Sequence, residues 1–278
     1  MEDRTVHRVA IGAFVIWLIW FLHPFLAQRM MIPWEPGTVG QWGDSFGAMN
    51  ALMSTAAFAA VFYTLRLQQR QIYEAQRDQH IQRFESSYFE LLRLFREARA
   101  AIKFEYSKDY RQESFYTKRS GVSFIKDVNA IGPSSARPAL EGNDAFRAAM
   151  MEFRFWIQEA GLVQEPNRVR LSQIYIKRIH DRNEGTFGPY FRLMYTILQR
   201  ISEDQRLSGA EKARYGNLIR SQISSHEAAI AGFNGLSPVS KDFSRLITEF
   251  RLLKYLPSGV TRRVLERHYP AEAFIARD

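Results

Sequence analysis

Residues 9–26 read VAIGAFVIWLIWFLHPFL, and residues 46–67 read FGAMNALMSTAAFAAVFYTLRL. The first stretch has eighteen residues and no Asp, Glu, Lys or Arg, about the minimum length that crosses the hydrocarbon core of a bilayer. A cleaved signal peptide is the competing reading. Phe25 argues against it, because Phe25-Leu26-Ala27 lacks the small-x-small pattern of a cleavage site. The second stretch is less hydrophobic but longer, with Arg66 as its first charge. The two together predict an N-terminal transmembrane hairpin occupying residues 1–67, with spans at about 9–26 and 46–67.

Through the second span Gly43, Gly47, Ala51, Thr55 and Ala59 recur at every fourth position. On a helix that is one smooth seam, along which another membrane helix can approach closely, with Asn50 nearby to hydrogen-bond across the contact. The seam serves either the first span or a homo-oligomer or protein partner.

Orientation follows from the distribution of basic residues. The loop Ala27 to Ser45 holds Arg29 against Glu35 and Asp44, whereas Arg4, Arg8, Arg66, Arg70 and Arg77 flank the hairpin on the other side. The positive-inside rule then places both termini in the cytoplasm, with the lipid bilayer as the first partner. Trp34 and Trp42 suit the outer interface.

The whole chain carries 38 basic and 29 acidic residues, a net charge of +9. That balance favours an anionic neighbour, either lipid or nucleic acid, although no nucleic-acid motif is present. There is no cysteine, which excludes disulfides, thiolate-ligated metals and thiol nucleophiles.

Beyond the hairpin the pattern is all-α. Residues 68–84 read as a helical connector, with Leu65, Ile72, Ala75 and Gln79 giving only a weak heptad. Tyr88, Leu91, Leu92, Phe95 and Ile102 then make a face for burial, opposite Arg93, Arg96, Arg99 and Lys103. Residues 104–143 are irregular, with turn signals at Gly132-Pro133-Ser134-Ser135 and Pro138 and a short helix around Phe124. Helical periodicity returns at Asp144 to Leu162, where Phe146, Met150, Phe153, Ile157 and Ala160 share a face. Further helices are predicted at 168–180, 189–202, 210–233 and 242–256, the last closed by Pro257.

No P-loop, dinucleotide loop, HExxH or nucleophile elbow occurs, so no cofactor and no metal is expected. The most informative segment is Ala210 to Asn234, read as one helix. Asn217, Arg220, Ser224, Glu227 and Asn234 form a polar stripe on it, beside an apolar stripe of Ile219, Ile223, His226, Ile230 and Phe233. A strip of small side chains, Ser221, Ser225, Ala228 and Gly232, flanks them. The polar stripe is either a structural network or a recognition site in which Arg220 contacts an anion and Glu227 orients it or acts as a base.

Arg220 with His226, and Arg263 with His268, have spacings that resemble the active-site signature of HEPN ribonucleases, metal-independent all-α enzymes. Ser221 and Val264 follow the two arginines, where that signature places Asn, Asp or His. Under this reading Arg220 and His226 would be catalytic.

Several blocks together resemble the putative phage abortive infection protein family, the AbiC-like membrane proteins. They are Trp42-Gly43-Asp44-Ser45-Phe46-Gly47 with Asn50-Ala51-Leu52, Tyr63-Thr64-Leu65-Arg66-Leu67-Gln68, Phe84-Glu85 with Phe89-Glu90-Leu91-Leu92, Tyr190-Phe191-Arg192 with Tyr195, and Tyr215 with Arg220-Ser221-Gln222-Ile223-Ser224, Glu227 and Asn234. The resemblance implies an inner-membrane protein of antiviral defence that halts the growth of the infected cell. It implies no reaction and no catalytic residues. A membrane adaptor for another defence component is a further alternative.

Overall fold

The computed structural model describes residues 37–119, 139–240 and 242–275, together with 11, 12, 14, 15, 17–19, 22 and 29. The chain divides into two compact units, Met1–Ala75 and Gln76–Asp278. Helix α1, Gly37–Ala100, contributes to both.

In the first unit, α1 begins directly after Pro36, a residue that ends regular hydrogen bonding on its N-terminal side. Residues 37–45, expected in a loop, are therefore helical. The described side chains from Asn50 to Ala75 are exposed, including Leu52 (63%), Phe58 (72%) and Phe62 (51%). Thr55 and Thr64 donate their hydroxyls back to the carbonyls of Ala51 and Ala60, each at 2.8 Å, so neither needs a partner outside the helix. Among the described residues no helix is long and apolar enough to cross a membrane. Asn50, Ser54, Tyr63, Thr64 and Arg66 dilute the apolar run of the second predicted span. Most of the first predicted span and Trp34 lie outside the described residues.

In the second unit, the connector and the first domain helix run together as the end of α1. Phe84, Tyr88, Leu92 and Phe95, at spacings of four, four and three, put one face into the core. Ile102 is buried too, but it follows the helix and leads into a two-residue strand, β1 (Lys103–Phe104). This strand pairs antiparallel with β2 (Leu140–Glu141), with Phe104 opposite Leu140. The fold is mostly helical, as expected. A ladder of two residues is too short to leave an alternating pattern in the sequence.

Helix α2 (Lys108–Arg119) follows β1, and Phe124, the centre of the predicted short helix, lies outside the described residues. Helix α3 (Gly142–Glu159) buries the predicted Phe146, Met150, Phe153 and Ile157 and ends at Gly161, whose φ of +69° suits glycine. Helix α4 (Arg168–Tyr175) passes through a π-helical turn, Ile176–His180, into α5 (Asp181–Glu203). The gap expected at 181–188 is thus helical, and its irregularity is absorbed by the π turn and by a non-helical Asn183.

The predicted helix 210–233 is two helices, α6 (Gly209–Arg220) and α7 (Ser225–Leu236). The predicted helix 242–256 stops early, as α8 (Phe243–Glu249), and gives way to a turn. A final helix, α9 (Val260–Glu266), was not foreseen. Helix α7 is the centre of the unit: every residue from Glu227 to Leu236 is buried, and α3, α4, α8 and α9 pack around it. Its small residues permit this. A methyl on Gly232 would press on Leu253 and Leu265, and one on Gly235 would run into Ile247 and the Tyr269 hydroxyl.

Candidate functional site

The break between α6 and α7 is made by a capping box. The Ser224 hydroxyl accepts from the Glu227 N–H at 3.3 Å, and the Glu227 carboxylate accepts from the Ser224 N–H. Ser208 and Glu211 make the same arrangement at the start of α6. Both are Ser-x-x-Glu in the sequence, so the helix start was legible there. The single-helix reading of 210–234 is corrected accordingly, and its polar residues fall into three settings.

Glu227 has no exposed surface. Its Oε1 accepts from the Tyr190 hydroxyl at 2.8 Å and lies 3.2 Å from Arg99 Nε. The Tyr190 ring is fixed against Phe95 and Phe146, with centroids 4.7 and 4.9 Å away. Burial, followed by the negative charge of Glu227, drives the Tyr190 hydroxyl well above its ordinary pKa, so it stays protonated and donating. Arg99, expected on the solvent face, instead lies against Phe95 and faces Glu227. This network links α1, α5 and α7, although Arg99 Nη2 is buried without a hydrogen-bond partner.

Arg220, the last residue of α6, is only 5% exposed. Its Nη2 donates to Asn217 Oδ1 at 2.7 Å and its Nη1 to the Phe250 carbonyl at 3.2 Å, while Nε is buried without a hydrogen-bond partner. Its guanidinium carbon lies 5.6 Å from the centre of the Tyr255 ring, and Lys254 Nζ lies 5.0 Å from the same ring. Gly216 makes this possible, since a methyl there would collide with the Phe250 ring that brings the carbonyl to Arg220. Asn217 itself is exposed.

Asn234 is 3% exposed and accepts from the Ser240 hydroxyl at 2.8 Å. It lines a cleft of about 440 Å³ with Phe191, Tyr195, Val239, Ser240 and Phe243. This cleft combines aromatic walls with a buried amide, the usual composition of a small-molecule or side-chain pocket.

The members of the Arg-x-His pairs fall in different settings. Arg220 is held by Asn217, Phe250 and Tyr255, whereas His226 is exposed on α7 near Arg147 and Arg154. Arg263 is exposed, while His268 is half-buried with Nε2 unpartnered. Among the described residues no group of three or more His, Asp or Glu could hold a metal ion. Sequence reasoning missed Tyr190, Lys254 and Tyr255 as parts of these settings. Tyr190 stands in a quoted block, but nothing in the pattern pairs it with Glu227.

These features define a helical domain organised around an enclosed, largely apolar helix, with α6, α7 and the turn between them carrying the predicted polar stripe and His226. Residues 182–260, which span that segment, match the family model described as "Putative phage abortive infection protein". That is the family which the sequence blocks resemble. No match was found among curated proteins or among solved structures.

Proposed function

We propose that this is a membrane-anchored bacterial protein of anti-phage defence whose helical domain binds an infection-derived partner and thereby triggers abortive infection. The observation that carries this reading is the coincidence of the family match, residues 182–260, with the helices that hold Arg220, Glu227, Asn234 and the cleft.

In this reading residues 1–67 form the two-span hairpin in the inner membrane and both termini face the cytoplasm. Its support is the exposed apolar surface of α1, where Leu52, Met53, Phe58, Val61 and Phe62 are all at least 48% exposed. A surface of that kind calls for lipid or another helix to cover it. Gly47, Ala51, Thr55 and Ala59 are exposed on the same helix and offer a place for close helix contact, with a second copy or a partner protein.

The test is phage challenge of cells expressing the wild type, a fragment starting at Gln68, and Lys254→Ala, with cell survival and membrane potential recorded. Protection by the wild type and none by the fragment is expected. Absence of protection by the wild type, or full protection by the fragment, would overturn the reading.

A further inference from the structure

We propose that Arg220 and Lys254, which share the Tyr255 ring, together with Arg251 of the same turn, form a binding site for a phosphate-bearing anion; this deepens the reading of Arg220 as an anion contact and rests on it. Buried charges in proteins are normally paired with an opposite charge. Arg220 is not. Its donors reach an amide oxygen and a backbone carbonyl, Nε has no hydrogen-bond partner, and among the described residues no carboxylate stands at ion-pair distance. The acidic groups nearest Arg220 in sequence are engaged elsewhere, Glu227 with Arg99 and its own capping box and Glu211 with the capping box of Ser208, and Glu249 beside the turn pairs with Arg245 at 2.8 Å.

The turn that Arg220 grips adds two more cations without carboxylate partners among the described residues. Lys254 shares the Tyr255 ring with Arg220, and Tyr255 is 57% exposed. Arg251 follows Phe250, whose carbonyl Arg220 holds, and it is the one non-glycine residue with positive φ among the described residues, at +52°. A bulky cation kept where glycine is favoured is a local cost of the kind that collects at binding sites. The C-termini of α6 and α8 end here, but each supplies only roughly half a negative charge. Together they leave most of three positive charges unmatched, which calls for a ligand with more than one negative charge. The forked guanidinium groups and the point charge of lysine are the residue types that hold phosphate.

The experiment is isothermal titration of the purified full-length protein in detergent with inorganic pyrophosphate, and separately with dihexanoyl phosphatidylglycerol below its micellar concentration. Saturable binding is expected, weakened about tenfold or more by Lys254→Ala and by Arg251→Gly. Neither residue is fully buried. Arg93→Ala, which removes an exposed arginine paired with Glu90 and Glu97, should bind as the wild type does. Tighter binding of pyrophosphate identifies a soluble phosphate ligand and tighter binding of the lipid a headgroup, and either supports the site when the variants lose it. No binding of either probe, or an equal loss in Arg93→Ala, would overturn the proposal. Lost binding with protection retained by Lys254→Ala would remove the site from defence, whereas a wild type that binds but never protects would sink the defence reading alone.

Discussion

The carboxylate of Glu152, with no exposed surface, receives the Arg182 guanidinium at 2.9 Å on one oxygen and the Ser107 N–H at 3.0 Å on the other. Arg182 also donates to the Glu105 carbonyl at 2.9 Å. One turn earlier, Arg178 lies 3.7 Å above the Trp156 ring and pairs with Asp109 at 2.6 Å. Helix α3, the π turn and the segment leading into α2 are thereby joined at one point. The π turn thus faces the network that anchors the entry to the irregular region.

Arg182→Ala should therefore destabilise the second unit by about 2–3 kcal/mol, because it strands a buried carboxylate. The lower part of the range for broken buried pairs applies, since Arg182 is itself 31% exposed. Thermal unfolding followed by circular dichroism measures this. A melting temperature equal to that of the wild type would show that the Ser107 N–H and the Trp156 indole suffice for Glu152.

Glu227→Ala should be more damaging, at about 3–5 kcal/mol, because it removes the ion pair with Arg99, the Tyr190 contact and half of a capping box. Glu227→Gln keeps the shape and one acceptor and should fall between the two. A variant that accumulates and melts normally but fails to protect against phage would instead mark Glu227 as a recognition residue.

Arg251→Gly should stabilise the protein by about 1 kcal/mol, since a left-handed backbone costs an L-residue roughly that much and costs glycine almost nothing. Denaturant titration with an unchanged slope would register it. A loss of stability would mean that the Arg251 side chain contributes more by packing than its backbone costs.

Acid should weaken the fold through two histidines. Partial desolvation of an otherwise exposed ring, followed by Arg147 and Arg154, lowers the pKa of His226 below 6.5, and burial, followed by Arg168 and Arg267, does the same for the half-buried His268. A depressed pKa means that the folded state prefers the neutral ring. The stabilisation is complete above about 6.5 and is lost as pH falls through the folded values. Imidazole titration by NMR should show both midpoints below 6.5, and His226→Gln should flatten the decline of melting temperature on the acid side.

Topology can be tested directly. A reporter active only in the periplasm should work when fused at Gly37 and stay silent when fused after residue 278. The reverse pattern would invert the proposed orientation, and activity at neither position would place the first unit outside the membrane.

What the sequence reveals here depends on periodicity. The buried faces at Phe84 to Phe95 and at Phe146 to Ile157 were legible because apolar spacing of three and four is a strong local signal. The division of α6 from α7 was written in Ser224 and Glu227, but the polar pattern runs on across the break and hides it. The stop at Glu249 rests on Arg251 adopting a conformation that its residue type does not announce. The partners of Glu227 and Arg220 come from Tyr190, Arg99 and Phe250, and such pairings arise only from tertiary packing.

The enclosure of α7 has a measurable kinetic meaning. A helix wrapped on all sides has no route for solvent to reach its amides by fraying, so the N–H groups from Ala228 to Leu236 should exchange with deuterium only when the whole unit opens. Their exchange rates then serve as an internal gauge of the domain's total opening free energy. A bound anion at the far end of α6 should slow every one of them by the same factor.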